Sequence, residues 1–324
     1  PHSERSPYED QIAYLVLRQV DAEYGSLEGA LKSEDKDRVL ELKRELEALK
    51  DQQPKSLPIA MGVSDVGATA PPTSLPKRPD EIIEPGIPSV LDDKPADIEP
   101  IAGVAASTGR RAALARWLTR ADNPLSTRVI VNRVWQYHFG RGLVPSTNDF
   151  GKLGEQPTHP ELLDWLAVDF MRGGWKLKRL HKLIMMSSVY RLSSKATAEG
   201  LRTDAGNSLV WRYNMRRLTA EEVRDAILAA SGQLDLRVGG PGVYPPIPQE
   251  VLAGQSRPGE GWPTSKGDDA ARRSVYVHVK RALQLPILAT HDQADTDASC
   301  PARYVTTVPT QSLGMLNGQF LQEQ

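Results

Sequence analysis

The chain has 324 residues, of which 40% are hydrophobic, 25% charged and 6% aromatic, with a formal net charge of −1. That length is enough for about two domains, and the composition excludes wholesale disorder. The longest apolar runs, such as Val129-Ile130-Val131, fall far short of the ~20 residues a bilayer crossing needs.

Tyr8, Ile12, Leu15, Val16 and Val20 recur at helical spacing and predict a helix over 8–24, with Gly25 as its stop. A second helix is expected over 33–51. Its narrow stripe of Val39, Leu42, Leu46 and Leu49 suits a helical hairpin or short coiled-coil arm packed on the main body. Residues 53–106 hold ten prolines. Proline fixes φ and removes a donor, so this stretch is expected to be an extended strap, with short extended pieces at Leu57–Val63 and Ile82–Ile83.

A run of helices follows. The first is expected over 108–120. The second starts at Asn123-Pro124, an N-cap followed by proline in the first turn. It carries Val129, Ile130, Val131, Val134, Trp135, Tyr137 and Phe139 around most of its circumference, so it is expected to be central and buried, ending at Gly140. Arg128, Asn132, Arg133 and Gln136 are polar interruptions that need partners, and are expected to bond to loops. Residues 141–156 form a long irregular loop. Thr158 and Glu161 predict a capping box for a helix through Phe170, and Thr219 and Glu222 predict another for a helix over 220–231. Between them a helix is expected over 176–188. Ser274–Lys280 alternates like a strand, and Pro309 opens a last helix through Phe320.

The near-neutral total charge hides a division. Residues 1–106 hold 12 Lys+Arg against 21 Asp+Glu, whereas residues 107–191 hold 14 against 6. Either the acidic part docks on the basic part, or a basic face is kept for an anionic partner. Cys300 is the sole cysteine. That excludes an internal disulfide, a four-cysteine zinc site and a CxxCH haem attachment, so no cofactor is expected within these residues. The chain starts at Pro1 rather than Met and is expected to be an excerpt of a longer protein.

No histidine pair has HExxH spacing, and no GxSxG elbow, Walker loop or dinucleotide fingerprint is present. His138 and His181 read as hydrogen-bonded core histidines. His291, Asp295 and Asp297, with Asp292, are weak metal candidates in one loop, lacking the glycine and distal glutamate of an EF-hand. Gly239–Gly242 lacks the strand-loop-helix setting of a phosphate loop. Lys176, Lys178, Arg179 and Lys182 beside Trp175 fit a solvated helix face or a site for nucleic acid or a sulfated sugar. The ligand-binding candidates are Arg133, Asn148, Asp149 and His159, expected to converge where the glycine-rich 141–157 loop crosses the basic helices. The bland alternative is that these groups only tie the loop down.

Residues 110–194 contain NPLSTRVIVNRVWQYHFGRGLV, NDFGKLGEQPTHPELLDWLA and LHKLIMMSSVYR, followed by RRLTAEEVRDAILAASGQLD at 216–235 and by RRSVYVHVKR and CPARYVTTVPTQSLGMLNGQF within 272–320. These runs resemble the planctomycete PSD-type domain of unknown function and cover most of 107–324. The resemblance implies a large exported protein with a cytochrome-c-like domain ahead of this one. It also implies a link to sulfated polysaccharide, and names no catalytic residue. Pro72-Thr73-Ser74-Leu75 departs from the family's usual extended segment, which counts against an intact strand there.

The expected architecture is mainly α. It comprises a helical arm at 1–52, the tail of a preceding domain or a connector; a proline-rich strap at 53–106; and a multi-helix domain at 107–324 with a small β element. The expected function is an accessory or binding domain, its partners the other domains of the same polypeptide and an anionic glycan. One alternative is a polysaccharide-active enzyme with a site near the 141–159 and 291–300 loops. Another is a nucleic-acid binder, disfavoured because a recognition helix must expose a polar face.

Overall fold

The computed structural model describes residues 5, 7–50, 62–63, 65, 67–104 and 106–323. The extended piece expected at 57–63 lies mostly outside them. Among the described residues the chain is mainly helical, with a single two-stranded antiparallel sheet. Its contacts divide it into two compact units, residues 1–120 and 121–324.

In the first unit, α1 (Pro7–Ala30) runs through Gly25 rather than ending there. One interior glycine costs only about 1 kcal/mol against alanine, too little to stop a long helix. Helix α2 (Ser33–Leu49) buries none of its residues, and Leu42, Leu46 and Leu49 are exposed. Of the stripe expected to pack, only Val39 is half-buried. The strap does form strands where its sequence argued against one: β1 (Ser74–Leu75) pairs with β2 (Arg78–Ile82) across a turn at Pro76-Lys77. Proline sets the turn's φ in advance, and the Ile83 N–H donates to the Thr73 carbonyl at 2.8 Å.

The strap is tied to α3 (Arg110–Leu118). The Asp65 carboxylate accepts from the Thr108 N–H at 2.7 Å and from the Ser107 and Thr108 hydroxyls, and pairs with Arg111 at 3.0 Å. The Thr108 N–H foremost holds the Asp65 carboxyl below its ordinary range. Arg116 donates to the Asp97 carbonyl, and Arg120 pairs with Asp92. Gly109 opens α3 at φ +75°, and a Cβ there would lie 2.1 Å from the Glu99 carbonyl oxygen. Only glycine meets both demands.

The second unit has two cores. In the first, Val131, Val134, Trp135 and Phe139 of α4 (Ser126–Phe139) pack on α5 (Pro160–Arg172) and α6 (Leu177–Met186), with Leu143 and Val144 of the intervening loop. The N-cap expected at Asn123 does not form: α4 starts at Ser126, and Asn123 Oδ1 instead accepts the Leu125 and Ser126 N–H groups in the turn that leads into it. Gly140 closes the helix at φ +79°. The capping box expected for α5 does not form. The Thr158 N–H and hydroxyl both donate to the Leu143 carbonyl, and the helix starts one residue later, with Pro160 at its first position.

The second core gathers around α8 (Ala220–Ala230) and α10 (Pro286–Thr290), with Val243, Ile247, Trp262 and Val277. In chain order a short helical turn at Val189–Arg191, whose Val189 and Tyr190 pack on the first core, and α7 (Ala198–Thr203) come after α6. Helix α9 (Gln249–Ala253) follows α8. The capping box of α8 is complete: the Glu222 N–H donates to the Thr219 hydroxyl, and the Thr219 N–H to the Glu222 carboxylate.

The strand expected at 274–280 is not one. Ser274–Tyr276 form a 3₁₀ turn because Asp225 on α8 accepts the Ser274 N–H at 2.7 Å and bends the segment's start. Within the segment Val277 makes a single parallel bridge to Val243, and Lys280 a single antiparallel one to Leu283. The last expected helix is broken at Gly318 into α11 (Pro309–Asn317) and α12 (Gln319–Gln322).

Candidate functional site

Helix α4 buries one face and presents the other. The four polar interruptions bond as their sequence positions demand. Arg128 donates to Asp164 on α5, and the wholly buried Asn132 exchanges two bonds with the Val144 backbone. Arg133 donates to the Asn148 side-chain carbonyl at 2.7 Å, and Gln136 to the Pro301 carbonyl at 3.2 Å. Thr147 also donates to Pro301, at 3.1 Å. That one oxygen thus joins α4, the 141–157 loop and the chain after Cys300.

Tyr137, expected in the core, is instead 76% exposed, and Ile130 is exposed with it. Positions 130, 133 and 137 are spaced three and four apart, so they share one helix face. An exposed apolar residue, a guanidinium and an exposed phenol ring therefore lie along one stripe, with Asn148 reaching Arg133 from the loop. Among the described residues Arg133 has no carboxylate partner, whereas Arg128, Arg141, Arg179 and Arg216 pair with Asp164, Glu155, Asp169 and Glu222. Its described partner is the neutral Asn148 amide.

Of the four residues singled out from sequence, Arg133 and Asn148 meet. Asp149 is occupied in its own loop, where its carboxylate accepts the Gly151 N–H at 2.8 Å. His159 lies 3.0 Å from the Thr158 hydroxyl through Nδ1. Neither bonds to Arg133 or Asn148 among the described residues.

The rings of His138 and His181, expected as hydrogen-bonded core histidines, meet each other. His138 Nε2 is 2.8 Å from His181 Nδ1, with Tyr190 edge-on to His138. Burial, then the neighbouring His181 ring, lowers the His138 pKa below 6.5. The Tyr213 hydroxyl donates to the His138 carbonyl and secures the end of α4.

The remaining candidates separate. His291 is buried, its Nδ1 2.9 Å from the Ile287 carbonyl, while Asp295 accepts the Asp297 N–H and Asp297 pairs with Arg281. Asp292 binds Arg217 and Thr306. Among the described residues no group of three or more His, Cys, Asp or Glu side chains comes together as a metal would require. Of the basic cluster at 176–182, Arg179 is engaged by Asp169 through two bonds, and Trp175 packs on Phe170. No helix among the described residues is long and apolar enough to cross a membrane.

No curated protein and no solved structure matches the chain. A family model does, over residues 110–324: PSD1, described as a protein of unknown function (DUF1553). That span takes in α3 through α12, including the Arg133 stripe and the loop that Asn148 lies on, and on this match the chain belongs to the PSD1 family.

Proposed function

We propose that this chain is an accessory ligand-binding domain of an exported multidomain protein and that it takes an anionic, sulfated glycan on the exposed face of α4. The observation that carries the reading is the pairing of exposed Tyr137 with Arg133 one turn before it, a cation with no carboxylate partner among the described residues. A phenol ring offers an apolar platform with a polar tip. A guanidinium offers forked donors that fit a sulfate or carboxylate, and is only weakly hydrated. Asn148 adds an amide for a hydroxyl. Exported status rests on the family resemblance.

The test is titration of the chain with sulfated and unsulfated oligosaccharides at two salt concentrations, with a DNA duplex as control. The expected result is a salt-sensitive preference for the sulfated set, reduced about tenfold in R133A and in Y137A while the fold persists. Equal binding of both sets, or binding unchanged in both variants, overturns it. Tighter binding of the duplex would favour the nucleic-acid alternative. The enzymatic alternative draws on the meeting of the two loops at the Pro301 carbonyl, and release of reducing ends from the sulfated set would favour it.

A further inference from the structure

The second core contains a cavity of about 350 Å³ with mostly apolar walls, among them Leu228, Pro246, Leu285 and Phe320. That volume lies within the ~300–1,000 Å³ usual for small-molecule sites. Arg224 of α8 forms part of its wall and is only 1% exposed. Its guanidinium lies 5.7 Å from the Phe320 ring centroid.

Arg224 donates to the Arg272 and Ala270 carbonyls and to the Ser274 hydroxyl, all neutral acceptors. Its Nε is buried and has no hydrogen-bond partner among the described residues. The nearest carboxylate, Asp225, is 3.9 Å away and is shared with the Ser274 N–H and with Arg273. Burial pulls the Arg224 pKa down to about 10, so the side chain remains a cation at neutral pH. A buried charge without a close counter-ion is costly, and this one borders an apolar space.

We infer that the cavity binds an apolar monocarboxylate, with its carboxylate toward Arg224 and its hydrocarbon part against Leu228, Leu285 and Phe320. A single anionic group fits better than two. The other charged side chain on the wall is Glu323, which is exposed and would repel a second anion. Helices α11 and α12 close the cavity, and Gly314 of α11 lines it with nothing within 4 Å of the position a Cβ would take. A side chain there has room to grow without displacing backbone.

The test is calorimetric titration of the 324-residue chain at pH 7 with decanoate, decan-1-ol and decanedioate. Decanoate is expected to bind at least tenfold more tightly than either comparator. Gly314→Leu should weaken decanoate at least tenfold with an unchanged melting temperature, since leucine favours a helix over glycine. Arg224→Met should abolish the preference for decanoate over decanol. If that variant fails to fold, the comparators and Gly314→Leu decide the matter. No decanoate binding, equal affinity for decanol, or full affinity in Gly314→Leu each overturns the assignment.

Discussion

His138 and His181 face one another between α4 and α6, Nε2 to Nδ1 at 2.8 Å. One nitrogen must donate and the other accept, so the contact holds one proton and is lost when both rings are fully charged. Burial first, and the His181 ring second, favour neutral His138. Below pH 6.5 the unfolded chain therefore takes up a proton that the folded chain resists. Stability from this pair is complete above that pH and declines as the pH falls toward the lower folded value. Melting temperatures measured between about pH 7.5 and 5 should drop on the acid side. H138Q should flatten that slope; an unaltered slope would show that other groups cause it.

Trp135 and Tyr137 stand two positions apart and should respond in opposite ways. Trp135 is 6% exposed and stacks on Phe139 with ring centroids 4.3 Å apart. W135A should cost about 3–5 kcal/mol in urea unfolding. Y137A should stay within about 0.5 kcal/mol of the parent.

Asn132 holds Val144 of the 141–157 loop through both its backbone groups: Nδ2 donates to the Val144 carbonyl at 2.9 Å, and Oδ1 accepts the Val144 N–H at 2.8 Å. N132A would leave both groups buried and unpaired, at roughly 2–4 kcal/mol. Amides of this loop should then exchange with deuterium faster than those of α8. Uniform acceleration across both regions would show global loosening instead.

The α8 capping box links stability to acid pH. Arg216, binding through two bonds, lowers the Glu222 pKa from 4.5 to about 2, with the Thr219 N–H assisting. A depressed carboxyl contributes above its unfolded pKa, and that contribution is lost as pH falls from 4.5 through about 2. T219A should cost about 1 kcal/mol at neutral pH. E222Q should remove part of the slope below pH 4.5, a modest part because the Arg216 pair is well exposed.

The helices were legible because their signals are local. Periodicity located α4, α5 and α8, and Thr219 with Glu222 announced a cap within four residues. Errors arose where a distant group won. Thr158 has the same capping pattern, but the Leu143 carbonyl takes its hydroxyl. Ser274–Lys280 alternates correctly, but Asp225, 49 positions earlier, bends its start. Arg133 and Asn148 could be guessed because a long loop follows a basic helix. The exposure of Tyr137 could not, since a helix apolar on most sides does not reveal which side lacks a neighbour. Nor could the histidine pair or the Arg224 wall, which join residues separated by 43 or more positions.

Arg272 grips the glycine-rich turn in a way that shapes which changes it tolerates. The buried guanidinium lies 3.9 Å from the Tyr276 ring centroid and donates to the carbonyls of Arg237, Gly239 and Pro241. It reads main chain only, and is indifferent to the side chains those carbonyls carry. Val238, 87% exposed, is therefore free to drift to almost any residue. Arg272 has no such latitude, because lysine brings a single ammonium where a planar fork spans three oxygens. In a saturation library selected for folding, residue 238 should accept most substitutions and residue 272 almost none. The turn would then keep its shape while its outward chemistry varies.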